Sequence, residues 1–79
     1  MNTQTPITFG AKLRETREAL GLSQNRLGIL SEIGANWVNA IERGKRSPGF
    51  LTATRIAKGL GVPLVMLVRG TDLEGKWPV

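Results

Sequence analysis

Between two glycine breaks the chain runs Leu22-Ser23-Gln24-Asn25-Arg26-Leu27-Gly28-Ile29-Leu30-Ser31-Glu32-Ile33-Gly34-Ala35-Asn36-Trp37-Val38-Asn39-Ala40-Ile41-Glu42-Arg43-Gly44. Ser23 is a good N-cap, and Leu27 and Leu30 recur at helical spacing, so a helix of about two turns is expected over residues 24–30. Gly28 lacks a Cβ and so suits a point where another helix comes close. After the break Ser31-Glu32-Ile33, with Gly34 as cap, a second short helix is expected over residues 35–42. It turns Val38 and Ile41 inward and has Gly44 just past its end.

The flanking sequence repeats this pattern. Thr8 caps a helix over residues 9–20, with Phe9, Leu13 and Leu20 near one face, Lys12, Arg14, Glu15 and Glu18 on the other, and Gly21 as the stop. Ser47-Pro48 opens a further helix whose inner face is Phe50, Ala53, Ile56, Ala57 and Leu60, ended by Gly61. Residues 62–68 read either as a fifth helix begun at Pro63 or, from their β-branched content, as a short strand; we take the helix. Residues 1–8 are expected to form a flexible arm, residues 9–69 the folded domain, and residues 70–79, which show no period, a loose tail. The fold class is all-α, a compact five-helix bundle.

A chain of 79 residues supports one hydrophobic core. Its 41% hydrophobic and 22% charged residues are those of a folded globular domain, not a disordered tail. With no Cys and no His, disulfides, thiolate metal clusters and the commonest general base are all absent. Only six Asp and Glu remain and there is no phosphate-cradling motif, so no enzymatic activity, metal or cofactor is expected. The longest nearly apolar run, residues 60–68, is broken by Gly61 and Pro63 and falls short of the roughly 20 residues that span a bilayer, so no membrane partner is expected. Residues 1–8 carry no signal-peptide pattern, which makes a cytoplasmic location the expectation. Eleven Lys and Arg against six Asp and Glu give a formal charge of +5, which favours polyanionic partners without distinguishing nucleic acid from an acidic protein or lipid surface.

Two short helices joined by a three- or four-residue turn, the second followed by a glycine and basic residues, have the outline of a helix-turn-helix. More specifically, Leu22-Ser23-Gln24, Leu27-Gly28, Ile33, Val38, Ile41-Glu42-Arg43-Gly44-Lys45-Arg46, Pro48, Ile56-Ala57 and Leu60-Gly61-Val62 together resemble the lambda-repressor-like, Cro-type (XRE) DNA-binding family. The likeness runs from about Phe9 to Val68. It implies a five-helix DNA-binding domain in which residues 35–42 are the recognition helix, and a homodimer on a two-fold operator in double-stranded DNA. The implied function is a transcriptional regulator, most simply a repressor.

Given that likeness, Ala35, Asn36, Asn39 and Ala40 form the outward, base-contacting set. Asn36 is the leading candidate, because a carboxamide pairs bidentately with adenine, while the alanines offer methyl contacts to thymine. Gln24, by resemblance, lies against a phosphate at a helix start, and Arg43, Lys45 and Arg46 are placed to clamp phosphates. Arg17 and Glu42 correspond to a structural ion pair in relatives. Trp37, spaced by four from Ile33 and Ile41, is expected at the core edge. Val65, Met66 and Val68 exceed what one helix face can hide and are assigned to a dimer interface, as a helix or as a paired strand. A second reading is an antitoxin-like module that holds a toxin or other protein partner through Leu73 and Trp77 of the tail, its DNA binding serving autoregulation.

Overall fold

The Thr8 hydroxyl accepts a hydrogen bond from the Ala11 N–H at 3.0 Å and starts α1 (Phe9–Ala19). Ser23 does the same for the Arg26 N–H at 2.9 Å and starts α2 (Gln24–Ser31). The structure, a computed structural model, describes residues 7–79 and continues with α3 (Ala35–Glu42), α4 (Phe50–Leu60) and α5 (Leu64–Val68). The all-α, five-helix expectation is met, and 62–68 resolves as helix rather than strand. The glycine stops Gly21, Gly44 and Gly61 all lie at positive φ. The expected arm lies outside the described residues up to position 6.

α2 packs on α3 and α4, α1 on α3 and α5, and α4 on α5. Leu13, Leu27, Val38, Ile41, Ala53, Ile56, Leu67 and Val68 fill the centre. Close helix approach depends on two missing side chains. A Cβ on Gly28 would lie 2.5 Å from the Ala35 N, which fixes how α2 meets the start of α3. A Cβ on Gly10 would run into the Ile41 carbonyl, where α1 crosses α3.

Several expectations need correction. α4 begins at Phe50 with Gly49 as its cap, not at Ser47-Pro48; Pro48 is buried in the link and lines a small cleft with Phe9 and Ile41. Leu20, Leu30 and Phe50 are exposed rather than inward. On α2 the buried place falls instead to Ser31, whose hydroxyl is satisfied by the Leu27 carbonyl at 2.6 Å. Val68 is also corrected: it is a core residue at 2% exposure and has no surface to give to a dimer, whereas Met66 is exposed and Val65 half-buried.

Residues 70–79 are not a loose tail. Asp72 accepts from the Phe9 N–H at 2.8 Å, supplying an acceptor at the start of α1, and its own N–H donates to the Ile7 carbonyl at 3.0 Å. A parallel bridge joins Ile7 to Thr71, so Ile7 and Thr8 are fastened rather than part of a free arm. Thr71 and Leu73 are buried, and Trp77 packs against the core with its ring 5.8 Å from that of Phe50. An aperiodic run of turns shows no amphipathic signal, yet Thr71, Asp72, Leu73 and Trp77 together dock it. Leu73 and Trp77 are thus engaged within the domain, which removes the feature that suggested a toxin-binding tail.

Candidate nucleic-acid interface

Val38 and Ile41 hold α3 on the bundle, which leaves Asn36 and Trp37 exposed and Ala35, Asn39 and Ala40 half-buried. The helix is locked from behind by a polar network. Arg17 Nε donates to Glu42 Oε2 at 2.6 Å and Nη2 to Oε1 at 3.0 Å, while Nη1 donates to the Leu22 carbonyl at 2.7 Å. Both side chains are buried, at 9% and 3% exposure. The hydrogen bond to Glu42 raises the Arg17 pKa above its ordinary value; desolvation opposes this, and the charges of Glu42 and Glu18 add to it. The cation is therefore permanent, and the expected ion pair ties α1 to the end of α3.

Gln24 joins the same network. Its Nε2 donates to Glu42 Oε1 at 3.0 Å and to Asn39 Oδ1 at 3.3 Å, which links α2 to α3. The side chain expected, by resemblance, against a phosphate is thus hydrogen-bonded to Glu42 and Asn39. Asn39 is correspondingly oriented with its oxygen toward Gln24 and its amide nitrogen as the free end.

Past α3 the backbone folds back, with the N–H groups of Lys45 and Arg46 both donating to the Ala40 carbonyl at 2.9 and 3.3 Å. This turn keeps Arg43, Lys45 and Arg46 exposed beside the recognition helix. The Arg46 guanidinium lies 5.1 Å from the centre of the Trp37 ring, within cation–π range. Asn36, Trp37, Ala40 and Arg46 line one shallow concavity of about 200 Å³. The structure thus brings together Asn36, Ala40 and Arg46, sets Asn39 with Gln24, and leaves Ala35 at the helix start against Gly28.

Trp37 is the residue that sequence reasoning misplaced. It is 42% exposed and lines the concavity with Asn36, more open than the packed position expected. The signal was present in the helical wheel: at about 100° per residue, the direction midway between Val38 and Ile41 lies roughly 70° from Trp37. That places its ring at the rim, where the basic turn covers it. Among the described residues no group of His, Cys, Asp or Glu is placed to hold a metal, and no helix is long and apolar enough to cross a membrane.

Comparison with known proteins agrees with this geometry. The helix-turn-helix domain family matches residues 8–69. An uncharacterized HTH-type transcriptional regulator of Sinorhizobium fredii, y4dJ, is 33% identical over 63 residues, covering 80% of this chain and 82% of that one. The cryptic phage CTXphi transcriptional repressor RstR of Vibrio cholerae is 33% identical over 64 residues, covering 81% of this chain and 58% of the repressor. Among solved structures, the restriction-modification controller protein C.AhdI of Aeromonas hydrophila superimposes with a TM-score of 0.73 at 37% identity, over 75% of this chain and 89% of that one. The chain belongs to the helix-turn-helix family of DNA-binding transcriptional regulators, and the lambda-repressor-like resemblance read from its sequence is borne out.

Proposed function

We propose that this regulator binds a two-fold operator as a homodimer, with α3 of each protomer in the major groove, and represses by occluding a promoter. The observation that carries the reading is the pairing of a base-reading edge, exposed Asn36 and half-buried Ala40, with a basic turn folded against it, above a buried network that prevents α3 from shifting. Asn36 is the principal base reader, through a bidentate contact to adenine, with the free amide of Asn39 and the methyls of Ala35 and Ala40 beside it.

Arg43 and Lys45 clamp phosphates, as do Gln24 and the backbone N–H groups at the start of α2. The start of α4, which has no side-chain cap, offers further N–H groups to the same strand. Exposed Met66 and half-buried Val65 on α5 supply the dimer contact, which sets the two recognition helices about 34 Å apart along the duplex. Likeness to a phage repressor at 33% identity supports repression.

A salt-dependent binding titration of the purified protein against its own promoter region and a random duplex tests this function. Promoter preference of about a thousandfold or more is the expected result. Equal, weak and steeply salt-sensitive binding to both duplexes would contradict it.

A further inference from the structure

We propose that Arg46 reads a guanine in each half-site and that Trp37 is the positioning residue that holds it in register to do so. The proposal rests on the major-groove placement of α3 argued above. The sequence alone groups Arg46 with Arg43 and Lys45 as a phosphate clamp, but the three side chains are not equivalent in the structure. Arg46 alone of the three lines the concavity with Asn36 and Ala40, the residues of the base-reading edge. Its guanidinium lies over the Trp37 ring at 5.1 Å, while its backbone N–H is tied to the Ala40 carbonyl at 3.3 Å.

This arrangement suits a base more than a phosphate. A phosphate contact tolerates a mobile cation, because Coulombic attraction has little directionality and the charge acts through counterion release. Guanine presents O6 and N7 as two acceptors in one plane, and only a planar fork of fixed orientation meets both. An aromatic ring 5.1 Å from the guanidinium draws the head group to one side of α3 without using its N–H donors, which narrows the positions open to the fork before DNA arrives. Pre-ordering of this kind lowers the entropy lost on binding. Arg46 and Asn36 then form adjacent readers, one for guanine and one for adenine, on a single concave surface.

The test uses the full chain and a duplex carrying the promoter site, with 7-deazaguanine replacing guanine at each position in turn to remove the N7 acceptor. For the unaltered protein one guanine per half-site should be sensitive, with affinity falling roughly tenfold, in line with the worth of one bidentate pair. Arg46→Ala and Trp37→Ala should bind the normal duplex about that much more weakly and be indifferent to the substitution at that position. Trp37→Phe, which keeps a ring face, should recover part of the sensitivity, and Arg46→Lys, which keeps charge without the fork, should not.

Thermal melts of the free variants separate loss of fold from loss of contact, because both side chains are exposed and their removal should leave the melt close to that of the parent. Sensitivity that persists in Arg46→Ala, or full sensitivity in Trp37→Ala, overturns the proposal. So does an Arg46→Ala variant weakened equally on promoter and random DNA, which assigns Arg46 to phosphate. A parent protein that prefers its promoter yet ignores every 7-deazaguanine refutes this inference alone, whereas a parent without promoter preference refutes the function beneath it.

Discussion

Arg17 and Glu42 show how one residue pair links stability to recognition. Glu42 closes α3, accepts from Arg17 and from Gln24, and so sets the rotation of the helix that carries Asn36. Glu42→Ala leaves a buried guanidinium uncompensated and should cost about 3–5 kcal/mol, measured by urea unfolding. A change under about 1 kcal/mol would mean that the pair is solvated in solution. The pair was visible in the sequence only through family resemblance, since nothing in the spacing of residues 17 and 42 brings them together. That Gln24 bonds to Glu42 and Asn39 was not visible at all, because contacts between residues 15 and 18 positions apart depend on the packed geometry. Trp37 is more exposed than its four-residue spacing suggested because residues four apart share a side of a helix without being equally deep: Ile41 is 1% exposed and Trp37 42%.

At the scale of elements, the caps and stops were the most legible features. Thr8 and Ser23 cap α1 and α2, and Gly21 stands just past α1, because these signals are local and each satisfies backbone groups without tertiary help, whereas α2 ends on Glu32 in the left-handed conformation, which no glycine announces. The start of α4 was misread because Pro48 is drawn into the core, which delays the helix by two residues and makes Gly49 the cap. The α2–turn–α3 unit depends on Gly28, read from the sequence as a close-approach site and found against the backbone of Gly34 and Ala35. Gly28→Ala should push the two helices apart and destabilise the domain by about 1–3 kcal/mol. It should also weaken promoter binding beyond what the unfolded fraction explains, seen by titration at a temperature where the variant is folded. Unchanged stability would show that α2 and α3 meet less closely than the structure has them.

The whole molecule is held closed by a segment the sequence did not advertise. Asp72 and Leu73 fasten the carboxyl-terminal residues to the start of α1 and to the core, a contact between distant parts of the chain that leaves no periodic trace. Leu73→Ala should cost about 2–3 kcal/mol by the usual penalty for emptying a buried Leu site, and lower the melting temperature by roughly 10 °C or more. A melt unchanged within error would mean that the segment is frayed in solution. Charge on α5 tests assembly: Val65→Glu with Met66→Glu should convert a dimer to a monomer by mass in solution, and an unchanged dimer mass would place the interface elsewhere. A division of labour follows at the DNA surface, with Asn36 reading sequence and Arg43 and Lys45 of the basic turn supplying charge. It is tested most directly by measuring Asn36→Ala and Arg43→Ala on promoter and random duplexes across a salt series. Asn36→Ala should relax preference at one base pair per half-site while leaving random binding intact, and Arg43→Ala should weaken both duplexes alike and flatten the salt slope by about one. Equal losses on both duplexes from both changes would contradict it.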